Sequence, residues 1–241
     1  MRLRPEIREA KPDDMPRLIE ISGRAFSTDA HTQLKAAAQS PPVSAEEYMA
    51  QGMTEAFQMW LENANVKILV ATVLGEGNPR QTIAGYIVFS HRNLDKPYDG
   101  TLISELMDDR PNAPKQSVRS SGTVEELAKT TDQSMKDWQG WFLSSDIPCM
   151  YIMNHCVDPS YQGRGIGPAL LKEVTTRADG AKVPCWVQSS HGAWRIFKDC
   201  GFAECGRLQL NLDDWCLGFH GATLKEPWGE YVWGYMERMP T

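Results

Sequence analysis

No lysine- or arginine-rich run occurs anywhere in the 241 residues, and the formal net charge is −6. A chain of that sign, with a pI near 5.4, is poorly matched to a nucleic-acid backbone. The N-terminal MRLRPEIREAKPDD contains no apolar h-region, so no secretory signal is expected. The longest apolar runs, ILVATVL (68–74) and YIVF (86–89), have the length of strands and are too short to cross a bilayer. Six cysteines, at 149, 156, 185, 200, 205 and 216, show neither CxxC spacing nor paired histidines, and there is no N-x-[ST] sequon. That usage excludes a disulfide framework and a zinc site, and the expectation is a soluble, cytoplasmic protein without a metal.

Composition is that of an ordinary globular chain, 41% hydrophobic and 23% charged. The length suits one domain with a large insertion better than two small ones. PEIRE (5–9) alternates as a strand does. KPDDMP then supplies an Asp cap and an early proline for a helix carrying Met15, Leu18, Ile19 and Phe26. Ser44 and Glu47 form a capping-box pattern ahead of a stripe of Met49, Met53, Phe57, Trp60 and Leu61. Residues 66–74 and 82–90 read as an antiparallel hairpin around GEGNPR. Periodicity is lost over 91–122, and TVEE at 123–126 opens a helix to about Phe142. After this insertion, about 91–148, come a strand at 149–157, a glycine-rich loop, a helix with Pro168 in its first turn, and a strand at 183–188. A short helix at 191–200 stops at Gly201, and strands at 202–212 and 230–239 complete the chain. Strands and helices interleave, and the hairpin makes the sheet mixed.

The loop VDPSYQGRGIG (157–167) sits between a strand and a helix. A helix N-terminus offers free N–H groups and positive dipole, and glycines let the backbone approach an anion, so the segment reads as an anion cradle with Arg164 adding charge. A Walker A loop would end in GK[ST], but here GIG is followed by Pro168. A dinucleotide fingerprint needs different glycine spacing and an acid ending the next strand, which instead ends VQSS.

The pattern V-x-P-x-x-Q-G-R-G-I-G-x-x-L-L resembles motif A of the GNAT superfamily of acetyl-CoA-dependent N-acetyltransferases, with Gln162, Gly165 and Gly167 at the signature positions. About 25 residues later, Ser190, Ala193, Phe197, Gly201 and Phe202 follow the family's N-x-x-A-x-x-x-Y-x-x-x-G-F pattern, with Ser for Asn and Phe for Tyr. The resemblance implies an α/β (α+β type) GNAT fold over residues 1–241. Its sheet is mixed, mostly antiparallel and splayed between the fourth and fifth strands, with flanking helices. It implies acetyl-CoA as co-substrate. Backbone around Cys156 and Val157 would hold the pantetheine arm, the N–H groups of Arg164, Gly165, Ile166 and Gly167 would take the pyrophosphate, and Gln162 and Gly163 would also bind the cofactor. Ser190 and Phe197 stand where the family contacts the cofactor.

Two departures touch the chemistry. The family's usual fourth-strand base position holds Tyr151, and its general acid is replaced by Phe197. An alkylamine with pKa near 10.4 is uncharged in about one molecule per few thousand at pH 7, so a base is useful. His155 shares strand parity with Tyr151 and titrates in the right range; it is the candidate base, the alternative being no dedicated base. The backbone N–H near His155 is the family's usual oxyanion donor. A thiol near pKa 8.5 leaves tolerably without an acid, with Ser190 or water as substitutes. Trp138, Trp141, Trp215, Trp228 and Trp233 suit core packing or an aromatic-lined acceptor pocket, and Asp213 or Glu230 an attracting charge. The expected activity is acetyl transfer to a primary amine of a small molecule by a monomer or homodimer, without nucleic-acid or membrane partners. Alternatives are a peptide or protein amine, a non-catalytic acyl-CoA-binding module, and, least, a nucleotide-binding oxidoreductase.

Overall fold

The computed structural model describes residues 2–75, 78–96, 98, 100, 121–143, 147–218 and 227–241. Seven strands form one sheet in the order β1-β2-β3-β4-β5-β7-β6. They are β1 (Glu6–Glu9), β2 (Val66–Gly75), β3 (Asn78–Arg92), β4 (Cys149–Val157), β5 (Cys185–Ser190), β6 (Ala203–Asn211) and β7 (Glu230–Arg238). The helices are α1 (Met15–Phe26), α2 (Ala30–Ala37), α3 (Ala45–Glu62), α4 (Val124–Leu143), α5 (Ile166–Ala181) and α6 (Trp194–Asp199). Among the described residues, only β4 and β5 run parallel. A chain leaving β4 must therefore cross over through α5 before it can return beside it.

Alternation along β2 and β3 gives each face its own core. Leu69, Ala71, Ile87 and Phe89 meet Leu170, Leu171 and Val174 of α5. Ile68, Val70, Tyr86 and Val88 meet Leu18 and Ile21 of α1 and Met53 and Phe57 of α3. Farther along that second face, Trp186, Leu208 and Tyr235 pack with Leu34 of α2 and Leu127 and Trp138 of α4. A fully buried leucine such as Leu170 contributes about 2–5 kcal/mol by comparison with alanine.

The caps follow the sequence closely at two helices. Ser44 Oγ accepts from Glu47 N at 3.1 Å while Glu47 accepts from Ser44 N at 3.1 Å. Thr123 and Glu126 repeat the exchange at 2.8 and 3.2 Å ahead of α4. Asp14, expected to cap α1, instead turns its carboxylate back to Lys11 N and Arg8. Three further expectations are corrected. A helix, α2, lies between α1 and α3 where only two helices were read. Leu61 points to solvent at 45% exposure rather than extending the α3 stripe. The strand placed at 183–188 runs Cys185–Ser190. Of the insertion at 91–148, residues 97, 99, 101–120 and 144–146 lie outside the described residues.

Two features of β4 position the site. Its pairing with β3 shifts between Val88/Asn154 and Phe89/Ile152, leaving Met153 as an extra, bulged residue. Its pairing with β5 stops after Ile152 and Val187, while Gln188–Ser190 continue along β7. The two parallel strands therefore separate, and the flank of β4 from Met153 onward faces a cleft.

Candidate active site

The direction of each β4 amide follows from one bond. Asp158 N donates to Ala84 O at 2.9 Å, so the two-residue alternation of an antiparallel ladder assigns Cys156 and Asn154 to hydrogen-bonded pairs with β3. The N–H and C=O groups of His155 and Val157 then point the other way, into the cleft. This orientation suits an extended amide-bearing chain laid beside β4 as a strand would be. Gln162 Nε2 already donates to Val157 O at 3.1 Å.

Below the cleft, Asp158 fastens the end of β4. Its side chain is fully buried and ion-paired with Arg17 at 2.5 Å and Arg24 at 2.7 Å, and it accepts from Ser160 N at 2.8 Å. Burial alone pushes this carboxyl up, but the Ser160 N–H and the two guanidiniums outweigh it and hold the group below the usual range.

The glycine loop then turns through left-handed backbone at Gly163 (φ 70°) and Gly165 (φ 92°), and α5 begins at Ile166. Among the hydrogen bonds of the described residues, none has the N–H of 163, 164, 165, 166 or 167 as donor. Those five donors and the positive end of α5 could receive a pyrophosphate, and the Arg164 guanidinium lies over the Tyr161 ring, 5.9 Å from its centroid. The outer side is braced by the N-terminal segment: Leu3 N donates to Arg164 O at 2.9 Å, and a Cβ at Gly165 would lie 3.2 Å from Arg2 Cγ. Ile166 itself is buried beneath the loop, and at Gly167 an added Cβ would lie 2.8 Å from Ile196 Cδ1.

His155 lies on the α5 face of the sheet, with its ring edge-on to Phe197 at 5.9 Å between centroids. Its Nε2 is buried without a hydrogen-bond partner. Burial pushes the imidazole down to about 4, against a smaller upward pull from the Gly167 backbone. A histidine at that value is neutral at pH 7, and it is a weaker base than its ordinary pKa suggested.

Tyr151 is not where strand parity put it. The bulge at Met153 turns it to the opposite face, against Trp186 at 4.5 Å, where its hydroxyl accepts from Gln139 Nε2 at 2.9 Å. Burial pushes this phenol up to about 12. Cys156 lines the cavity beside the cleft, but ordinary strand alternation turns its N–H and C=O groups toward β3. Its buried thiol donates to Asn154 Oδ1 at 3.1 Å on the α1–α3 side, and its backbone belongs to the β3 ladder. The structure does bring together His155, Val157, Gln162 and Ser190 along one cavity beside the cleft. Phe197, buried and flanked by Phe202, lines instead the neighbouring cavity on the α4 side.

A second cavity of about 320 Å³ opens from the same junction toward α2, α3 and α4, and Met49, Thr131 and Met135 line it. Residues that motif reading passed over meet here. Asp29 caps α2 through Thr32 N at 2.9 Å, and its other oxygen accepts from Tyr231 OH at 2.5 Å. His31 packs edge-on against Trp233 at 4.8 Å and near Tyr231 at 5.5 Å, and burial pushes it down to about 3. The N-cap pattern D-A-H-T at 29–32 was a usable signal for α2; nothing local linked Asp29 to Tyr231, 202 residues away.

Of the aromatic candidates, Trp138 and Trp215 are core, at 3% and 1% exposure, and Trp233 lines the second cavity. The Trp141 side chain lies outside those described. Asp213 accepts from Trp228 N and Gly229 N, both at 2.9 Å. Glu230 accepts from Gln209 at 3.3 Å. Among the described residues no group of three His, Cys, Asp or Glu gathers, and no described helix is long and apolar enough to cross a membrane.

Comparisons with known proteins agree with this geometry. Residues 143–213 match the family model of the acetyltransferase (GNAT) domain, a span holding the cleft strands and the glycine loop. An uncharacterized N-acetyltransferase of Schizosaccharomyces pombe is 36% identical over 47 residues, which cover 20% of this chain and 20% of that protein. Among solved structures, a Corynebacterium glutamicum protein described as histone acetyltransferase HPA2 and related acetyltransferase shares 18% identity. It aligns over 98% of this chain and 97% of its own, with a TM-score of 0.54. Arabidopsis thaliana NAA60, in complex with a bisubstrate analogue, aligns at 15% identity over 99% of both chains with a TM-score of 0.52. The Escherichia coli ribosomal-protein-S18-alanine N-acetyltransferase aligns at 13% identity over 99% and 95%, with a TM-score of 0.50. At these identities the structural likeness is one of fold. The family match therefore attaches to residues 143–213, which match the acetyltransferase (GNAT) domain, within a chain whose fold is like that of these structures.

Proposed function

We propose that this protein is one catalytic domain that moves the acetyl group of acetyl-CoA onto a primary amine of a small molecule. The observation that carries the reading is the open β4–β5 cleft: its strand amides at His155 and Val157 lead to five unsatisfied N–H groups at 163–167. An amide-bearing arm and a pyrophosphate are the two parts of CoA those groups recognise. The thioester supplies an activated acyl carbon and a thiolate leaving group.

The chain's own contribution is placement and polarity. The loop donors anchor the anionic end, and the His155 N–H points toward where a carbonyl oxygen becomes negative during attack. The 320 Å³ cavity at the junction lies in the size range of small-molecule sites. Its wall includes Thr131 and Met135 of α4, so the expected insertion reaches the acceptor side.

The second reading, a peptide or protein amine, is favoured by the E. coli neighbour, which is described as acting on the alanine of ribosomal protein S18. Incubating the protein with acetyl-CoA and two panels, small primary amines and short peptides, with free thiol measured, separates the two. Release with small amines supports the proposal, release only with peptides moves the acceptor class, and CoA binding without any release reduces the protein to a binding module.

A further inference from the structure

The channel beside the cleft and the acceptor cavity share a wall formed by Asp29, Tyr231, His155, Ser190, Phe26 and Ala193. Any acceptor nitrogen that reaches the thioester must pass this junction, and it must arrive there without its ammonium proton. His155 faces the junction from the sheet, but its burial leaves it a feeble base. Tyr231 faces it from β7 with its hydroxyl already committed to Asp29 Oδ1.

We propose that the Tyr231 hydroxyl takes the proton of the acceptor amine while handing its own proton to Asp29, so that the pair forms a two-step proton relay. This rests on the acetyltransferase reading given above. In the step, one N–H bond of the ammonium breaks and an O–H bond forms at Tyr231. The original Tyr231 O–H bond breaks, and Asp29 Oδ1 gains the proton. The nitrogen lone pair is then free to attack the acyl carbon. The second nitrogen proton leaves after attack and goes to the departing sulfur, while Asp29 returns its proton to solvent.

The surroundings suit a relay rather than a tyrosinate. Burial, then the Asp29 charge, pushes the phenol well above its ordinary pKa, so it stays protonated and acts by exchange. Asp29 is kept in place by Thr32, whose N–H and hydroxyl both donate to Oδ2 at 2.9 and 2.7 Å, leaving Oδ1 for Tyr231. Other charges facing the acceptor cavity are Lys35 on α2 and Asp132 on α4. On the channel side they are Arg207 on β6 and Glu230 on β7, with the titratable His191 after β5. Tyr48 on α3 and the neutral His31 complete the titratable set around the acceptor cavity.

The test uses the full chain, acetyl-CoA, and two probes of one shape: phenethylamine and its β,β-difluoro analogue, whose amine is substantially neutral at pH 7. For phenethylamine, Tyr231→Phe is expected to lower kcat about 10²-fold at pH 7, and the deficit should shrink as pH rises toward the amine's own pKa. For the difluoro probe the loss should be less than about fivefold, because no proton need be removed. Asp29→Asn keeps an acceptor for the Tyr231 hydroxyl but cannot take its proton, and should reproduce the pH signature; it also serves if Tyr231→Phe folds poorly. Equal losses for both probes, or a wild-type pH profile in both variants, overturns the relay and leaves acetyl transfer standing. If the wild-type protein binds CoA yet releases thiol with no primary amine, the acetyl-transfer reading fails and the relay with it.

Discussion

Tyr151 and His155, four residues apart on β4, face opposite sides of the sheet because Met153 bulges between them. Tyr151 therefore belongs to the aromatic core with Trp186, while His155 looks across to Phe197. Tyr151→Phe is expected to leave CoA affinity at the wild-type value and to cost about 1 kcal/mol through the lost Gln139 bond. Calorimetry with CoA and a urea titration measure the two. His155→Ala should lower turnover by less than about tenfold, and any ascending limb that His155 contributes to the pH–rate profile should lie near pH 4 rather than 6 to 7. A limb at 6 to 7 that vanishes in the mutant would restore His155 as the base.

The glycine loop gives the sharpest binding test. Gly165 sits at φ 92°, where a side chain is strained, and an added Cβ meets Arg2. Gly165→Asp adds strain and a negative charge at the anion site together, so CoA binding should fall by more than about 10²-fold. Isothermal titration with CoA, and with NAD as the control ligand, reads the result. Measurable binding of NAD but not CoA by the wild-type protein is the outcome that contradicts the site.

Asp158 links the loop to α1. Asp158→Asn leaves Arg17 and Arg24 beside a neutral, fully buried amide. The arginines are partly exposed, so the expected loss is about 2–3 kcal/mol rather than that of a wholly buried pair. Chemical denaturation measures it. CoA affinity should fall as well, because the Asp158–Ser160 turn that leads into the loop loosens.

Acid sensitivity should begin earlier than carboxylates alone predict. Burial lowers His31 to about 3 and His155 to about 4 in the folded chain, while both titrate near 6.5 when unfolded. Below 6.5 the unfolded state binds the extra protons, so stability is complete above that value and declines as pH falls toward 4. Thermal melts between pH 7 and 4.5 should show a falling midpoint, and His31→Phe should flatten the slope. A midpoint constant over that window contradicts the buried-neutral assignment.

The pairing of β6 with β7 shifts between Glu204 and Gly206, and Gly206 makes a packing prediction. A Cβ at Gly206 would overlap the Trp138 ring, itself stacked on Tyr235 at 4.3 Å. Gly206→Ala should therefore destabilise by about 1–3 kcal/mol through overpacking, seen as a lower denaturation midpoint. The α4 helix that carries Trp138 also walls the acceptor cavity, so acceptor KM should rise more than CoA affinity falls.

Local pattern was enough for much of this molecule. The boundaries of β4, the start of α5 at the glycine loop, the two capping boxes and the stop at Gly201 all rest on interactions within a few residues. Such interactions are written in adjacent positions of the chain. The nest of donors at 163–167 was legible for the same reason, since positive-φ glycines before a helix act locally. What the sequence could not contain was the slip in register at Met153. A bulge exists only relative to a partner strand, here β3, more than sixty residues earlier, and it reverses which side chains face the cleft. Tyr151 left the site for that reason, while His155 remained with its basicity reduced by burial that no spacing records. The Asp29–Tyr231 pair likewise exists only because β7 inserts between β5 and β6 and carries residue 231 back to the cap of α2.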